Sequence, residues 1–354
     1  MKKLLLVLLV LSMVLSLVAC GTTQSAQPAE KPAEAAAPAA EKEDAPAEKI
    51  VMRIGIGQSD VHPQYAGLVK FKEIVEAETN GKFEVQINHS GTVGDDRGMM
   101  EMLQLGTLDG TCPSSAPVVN FCKDFMIFDF PFLFADYDEV DRVLDGEVGR
   151  ELLDKLNGTG LVGMNFWELG FLSITNSKQP VETLEDLKGL KIRTMENEVQ
   201  MDCLEAWGAN PSPLAFSELF TALQQGTFDG QQNPFASINS MKFYEVQDHL
   251  AVTDHVYNPF IFLISQKFWD KLTPEEQEIF QKAADAGRDE ERRLVREQNA
   301  SLLSDLEGYG MQVTYLSDAD KETMKELAQP IVDKFSKEMD EAFVGRFYDA
   351  VNNG

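Results

Sequence analysis

Short apolar runs with strand character alternate along the chain with longer stretches at helical spacing. The runs at 52–58 (MRIGIGQ), 82–89 (KFEVQINH), 110–115 (GTCPSS), 161–167 (LVGMNFW), 172–176 (LSITN), 190–194 (LKIRT) and 227–233 (TFDGQQN) predict strands. Between them, 62–80, 96–105, 137–157, 197–208 and 217–225 predict helices. Such alternation implies an α/β architecture with largely parallel sheets, where ligands sit beyond the carboxyl ends of strands. The last third is more helical. Thr273-Pro274-Glu275-Glu276 reads as an N-cap followed by proline at the first helical position, and apolar spacing continues to about residue 306. A helix of that length can brace two lobes at once.

Two lobes are also implied by a repeat. MMEMLQLGTLDG (99–110) and LFTALQQGTFDG (219–230) share Leu103/Leu223, Gln104/Gln224, Gly106/Gly226, Thr107/Thr227, Asp109/Asp229 and Gly110/Gly230. Each reads as a helix closed by glycine and followed by a turn into a strand. Similar helix ends alone do not account for six identities in twelve, so a duplicated topology is expected.

The amino terminus has a different pattern. Lys2 and Lys3 precede an apolar run at 4–18, which fits a secretory signal segment and is shorter than the roughly 20 residues of a membrane span. Residues 1–19 are therefore expected to be a signal peptide. Leu17-Val18-Ala19-Cys20 has the form of a bacterial lipobox with Cys20 as the lipidated residue; the other reading is an ordinary signal peptide with a chance cysteine. Residues 20–49 are dominated by Ala, Pro, Glu and Lys, have almost nothing to bury, and are expected to be a disordered tether from a lipid anchor to a body starting near Ile50.

Charge and composition narrow the function. With 31 Lys+Arg against 58 Asp+Glu, the net charge is −27, which repels nucleic acid and anionic lipid. Cys112, Cys122 and Cys203 leave an odd count that is no disulfide scaffold, and one bridge or three buried thiols both remain open. His62, His89, His249 and His255 form no HExxH pattern and no zinc spacing with cysteine. Gly55-Ile56-Gly57 lacks the third glycine of a dinucleotide fingerprint, because Asp60 stands there, and no GxSxG elbow occurs. No metal or cofactor is expected, and the aromatic stretch FCKDFMIFDFPFLF (121–134) reads as core. One residue stands out against the acidic background. Arg193 ends the strand in DLKGLKIRT, where a ligand should sit, unless it merely pairs with Glu196 or Glu198.

DLKGLKIR, GANPSPLAFSELFTALQQGTFDGQQNP, KFYEVQDHLAVTDHVYNP, VGDDRGMMEMLQLGTLDG and ITNSKQPVETLEDLKGL together resemble the solute-binding proteins of TRAP transporters, the DctP family, over roughly residues 50–345. The resemblance implies a periplasmic-binding-protein-like, type II-like fold: two α/β lobes around a ligand cleft, joined by strands and a long helix. The expected division is 50–169 plus 259–298 for lobe I and 170–258 plus 299–354 for lobe II. It also implies a role without catalysis, in which an extracytoplasmic protein captures a small organic acid and delivers it to TRAP membrane subunits. By the same resemblance Arg193 matches the arginine that binds the ligand carboxylate, Asn233 a contact from the other side, and Phe216 an aromatic wall. Asp96 matches an acidic rim position, Glu196 a variable pocket position, and Gln58 and Ser114 lie in loops matching first-lobe walls.

The chain departs from the family at Leu172, which stands where many members carry a second arginine; Trp167 and Phe166 precede it. A more apolar pocket lined by Trp167 and Leu172, and a ligand with one carboxylate or sulfonate, are expected. The other readings are binding for an ABC-type transporter or a sensor, an enzyme using Asp95, Asp96 or Glu196, and a lipid-anchored scaffold.

Overall fold

A computed structural model describes residues 49–353. The expected signal peptide, Cys20 and nearly all of the tether lie outside the described residues. In chain order, β1 (Ile50–Gly55), α1 (Pro63–Glu78), β2 (Phe83–Asn88), α2 (Asp96–Leu105) and β3 (Gly110–Thr111) form a β-α-β-α-β unit. The short α3 (Ser115–Val118), a 3₁₀ turn (Lys123–Asp129), α4 (Tyr137–Leu144) and α5 (Glu147–Asp154) lead into β4 (Leu161–Phe171) and β5 (Ser173–Asn176). A second such unit follows: β6 (Lys191–Thr194), α6 (Glu198–Ala206), β7 (Asn210–Pro213), α7 (Phe216–Gln224) and β8 (Gly230–Asn233). The chain ends with α8 (Phe235–Ser240), β9 (His249–Val252), β10 (Tyr257–Ser265), α9 (Gln266–Trp269), α10 (Pro274–Gly308), β11 (Gln312–Tyr315), α11 (Asp318–Ser336) and α12 (Glu341–Asn352).

These strands build two sheets, β2-β1-β3-β10-β4 and β11-β9-β5-β8-β6-β7. Within each unit the three strands run parallel, and the antiparallel neighbours β10 and β5 extend them. Only Leu172 separates β4 in the first sheet from β5 in the second, and residues 253–256 carry the chain back from β9 to β10. The Leu172 N–H donates to Val256 O (2.8 Å), so the two crossovers are tied together. Beside them the β4–β10 ladder slips register between Asn258 and Pro259, opposite Gly170 and Glu168.

The repeated motif forms the same structure twice. Gly106 and Gly226, both at left-handed φ (75° and 69°), end α2 and α7 in the manner of glycine caps. Asp109 then brackets the neighbouring strand: the Arg53 N–H donates to its carboxylate (2.8 Å) and its own N–H donates to Arg53 O (3.0 Å). Asp229 makes the same pair with Lys191, at 2.9 and 2.8 Å.

The long helix is Pro274–Gly308, capped by a Thr273–Glu276 capping box. It packs on α1, β4 and α8, and so touches elements next to both sheets. Its approach to α1 is close enough that a Cβ on Gly67 would lie 2.6 Å from Gly287 O and 2.5 Å from the Trp167 ring. Farther along, Arg296 bridges buried Glu168 of β4 (2.6 Å) and Asp141 of α4 (2.7 Å).

One expected helix differs. The 137–157 stretch is two helices, because Gly146 is extended (ψ −174°) and a Cβ on Gly149 would collide with Leu144 O at 2.1 Å. The aromatic stretch supplies buried Phe125, Phe128, Phe130 and Phe134 to the largest core cluster. Cys112, Cys122 and Cys203 are all free thiols, and Cys122 is only partly buried, so the all-buried reading is corrected there.

Candidate functional site

The carboxyl ends of β6 and β8 in one lobe face the start of α2 and the β3–α3 loop in the other. Between them lies a cavity with about 590 Å³ of space, open solvent included. Arg193, Asn233, Phe216, Glu196, Asp96, Gln58 and Ser114 all line it.

Arg193 is only 2 % exposed. Its backbone sits between Ser212 of β7 and Gln231 of β8. The Nε–H donates to Leu214 O (2.8 Å), and the guanidinium lies 6.0 Å from the centre of the Phe216 ring. One terminal nitrogen, Nη1, is buried without a hydrogen-bond partner. Burial draws the guanidinium down to about 10, against the pull of Asp96 and Glu196, and it stays charged at neutral pH. The ion-pair alternative does not hold among the described residues. Glu196 is exposed and leans instead to Arg97 across the cleft (3.9 Å), and Glu198 is exposed.

Asp96 is the first residue of α2, after Asp95, whose carboxylate accepts from the Gly98 N–H (2.7 Å). One Asp96 oxygen accepts from the Ser114 N–H and hydroxyl, each at 3.1 Å. Burial nevertheless pushes its carboxyl up to about 6, with the Ser114 bonds opposing. Gln58 does more than line the wall, since its amide donates across the cleft to the Ser237 hydroxyl (3.1 Å) and leaves Oε1 buried and unpaired. Ser59 likewise donates to Ser240 O (3.4 Å), so the two lobes meet in a closed arrangement. Asn233 ends β8, is 3 % exposed, and donates to Gln231 Oε1.

Two expected wall residues are not brought to the cavity. Trp167 is fully buried beneath α10, with its indole N–H donating to Asn165 Oδ1 (2.8 Å), because β4 turns that face towards the helix. Leu172 packs with Ala116, Met195 and Val256, and Met195 rather than Leu172 reaches the cavity. The lining also includes Arg97, Met195, Leu214 and Phe260, which pattern reading missed. Arg97 directly follows Asp96 in GDDRG and was legible as a neighbour. Phe260 lies in β10, an apolar run interrupted by Pro259 that periodicity does not identify as a strand.

Comparison with known proteins matches most of the chain's length. Residues 54–338 match the family described as DctP, bacterial extracellular solute-binding protein, family 7. A solute-binding protein from Verminephrobacter eiseniae is 40% identical over 296 residues, 84% of this chain and 88% of that protein. The 2,3-diketo-L-gulonate-binding periplasmic protein of Escherichia coli is 32% identical over 289 residues, 81% of this chain and 88% of its own. Among solved structures, a sugar acid binding protein from Advenella mimigardefordensis in complex with galactonate superposes with a TM-score of 0.84 at 37% identity, covering 86% of this chain and 99% of that one. A TRAP periplasmic solute-binding protein from Polaromonas sp. JS666 bound to D-erythronate gives 0.81 at 38%, covering 85% and 98%.

Proposed function

The chain belongs to the DctP family of TRAP-transporter solute-binding proteins, and from that premise we propose that it captures a small organic acid by its carboxylate and passes it to TRAP membrane subunits. The observation that carries this is Arg193, a buried cation at the edge of the cavity between the lobes, with Nη1 left without a partner. A ligand carboxylate supplies that partner through charge-assisted hydrogen bonds, with Asn233 and Phe216 beside it.

The ligand is a monocarboxylate with a polyhydroxylated, otherwise neutral body. Besides Arg193, the cavity is lined by three acids, Asp95, Asp96 and Glu196, against one further cation, Arg97, which leans to Glu196, so a second carboxylate meets mainly like charge while hydroxyls find acceptors. The two similar proteins solved with galactonate and D-erythronate support that class. Lobe I (50–169 plus 259–298) and lobe II (170–258 plus 299–354) close by bending at the crossing strands near Leu169 and Pro259. Cys20 carries the lipid that holds the body at the outer face of the membrane; Cys20→Ser protein should be released by a salt wash, and protein that stays bound would contradict the anchor.

The test of function is to denature the purified protein and identify released small molecules by mass spectrometry. A singly charged hydroxy acid is expected. A dicarboxylate, or a neutral solute, would overturn the ligand class.

A further inference from the structure

A second cavity, with about 1110 Å³ of space including open solvent, lies at the crossover between the sheets and shares no lining residue with the first. Its walls come from segments adjoining the ligand cleft. Pro234 and Phe235 follow Asn233, and Phe171 lies two residues beyond Leu169, while Asn233 and Leu169 themselves line the cleft. Phe132, Phe134, Tyr137 and Phe171 present aromatic surface. Behind them Tyr257 packs edge-on against Phe134, Tyr137 and Phe171, with centroids 5.2–6.4 Å apart, so these rings are held in place.

The polar lining is uneven. Lys321 and Lys325 of α11 face one acid, Asp254. Lys321 has no ion-pair partner within 4.0 Å among the described residues, and Lys325 reaches only the surface Glu322 (3.5 Å) and the Phe132 ring (5.3 Å). Burial raises the Asp254 carboxyl, with Lys321 and the Ser173 hydroxyl opposing. Tyr137 accepts from the Asn299 amide (3.0 Å), and its hydroxyl proton has no acceptor among the described residues. Asn299 Oδ1 is buried and unpaired. A net cation in a chain of charge −27, set over rigid aromatic walls, complements an anion with an apolar body.

We infer that this cavity is a second ligand site, taking a small carboxylate with an aromatic or similarly apolar body. The rings cover the apolar part, while Lys321, Lys325 and the Tyr137 hydroxyl meet the carboxylate. The inference is independent of the ligand proposed for the cleft.

Phenylacetate, acetate and benzyl alcohol separate the contributions when titrated into the full mature protein. The readouts are calorimetry and ¹⁹F spectra of protein labelled with 3-fluorotyrosine. Phenylacetate should saturate with a Kd below about 10 mM and shift the Tyr137 resonance, assigned by its loss in Tyr137→Phe. Acetate and benzyl alcohol should bind at least about tenfold more weakly, since each lacks half of the recognition. The double variant Lys321→Gln, Lys325→Gln should weaken phenylacetate about fivefold or more, while Arg193→Ala leaves it unchanged. Loss of phenylacetate binding in Arg193→Ala would place the anion in the cleft and overturn the second site. Equal binding of benzyl alcohol, no saturation, or an unmoved Tyr137 resonance would overturn it too.

Discussion

At the centre of each lobe a parallel strand meets its partner in the same register: in one, Ile54 and Gly55 of β1 lie opposite Gly110 and Thr111; in the other, Ile192 and Arg193 of β6 lie opposite Gly230 and Gln231. Arg193 therefore occupies the place that glycine holds in the first lobe. The next helices start at equivalent points too, α2 on Asp96 and α7 on Phe216. Of Arg193 and Asp96, which line opposite sides of the cleft, one stands where the other lobe has a glycine and the other where it has an aromatic ring. The backbone plan is shared, and the lobes' chemistry differs at single positions on it.

The difference is enforced by packing. A Cβ on Gly55 would lie 2.4 Å from Val93 Cγ2 and 2.6 Å from Met99 Sδ, so any side chain there forces these two to shift. At Arg193 the corresponding space opens towards Phe216 and the cavity. Transplanting the cation is the strongest way to test the comparison. Gly55→Arg should cost more than about 4 kcal/mol, combining overpacking with a buried unpaired charge. Gly55→Ala should cost roughly 1–3 kcal/mol. Urea denaturation measures both, and an arginine variant with a near-native midpoint would mean that the lobes are not constrained as described.

The second test addresses Asp96. Burial raises its carboxyl from the ordinary 3.8 to about 6. Between those values the folded protein binds more protons than the unfolded chain, so stability falls as pH rises from about 4 to 6. Asp96→Asn keeps an oxygen for the Ser114 bonds and removes that slope. Measured without ligand, the variant should gain on the wild type by up to roughly 3 kcal/mol between pH 4 and pH 7. Parallel pH profiles for the two proteins would show that Asp96 ionises without penalty in the cleft.

How much of this was legible beforehand depended on local signals. Gly106, Gly226, Asp109 and Asp229 announce helix end, turn and strand in a few consecutive residues, so the duplicated units could be read from the sequence. The strand at 210–213 (NPSP) could not, because two prolines belong only at a sheet edge, where β7 lies. β10 is buried on both faces, and its nine residues carry no alternation to detect. In the site, Arg193 showed itself by charge and position, helped by the family motif. Trp167 misled because a strand's two faces are indistinguishable in sequence until one knows which face α10 covers.

The third test returns to the difference itself. Arg193→Ala should weaken binding of the ligand released from the native protein by about ten- to a hundredfold, since a charged hydrogen bond contributes roughly 1.5–3 kcal/mol. Arg193→Lys should lose much of the same affinity, because an ammonium keeps the charge without the planar fork. Calorimetry decides, and wild-type affinity in the alanine variant would remove Arg193 as the anchor.

The smallest expected effect probes what the lobes share. Asp109 and Asp229 each accept a backbone N–H from the central strand, at 2.8 and 2.9 Å, and each is mostly shielded, with side-chain exposures of 16% and 15%. Their charged partners differ, Arg53 at 4.0 Å and Lys178 at 3.4 Å, but exposed pairs of that kind contribute little. If the bracket is one device used twice, Asp109→Ala and Asp229→Ala should each cost about 1 kcal/mol. The two residues stand in separate sheets, so the double variant should cost the sum to within about 0.5 kcal/mol. A large asymmetry in urea midpoints would show that one lobe relies on its aspartate for more than the turn, and the equivalence of the two units would then be confined to topology.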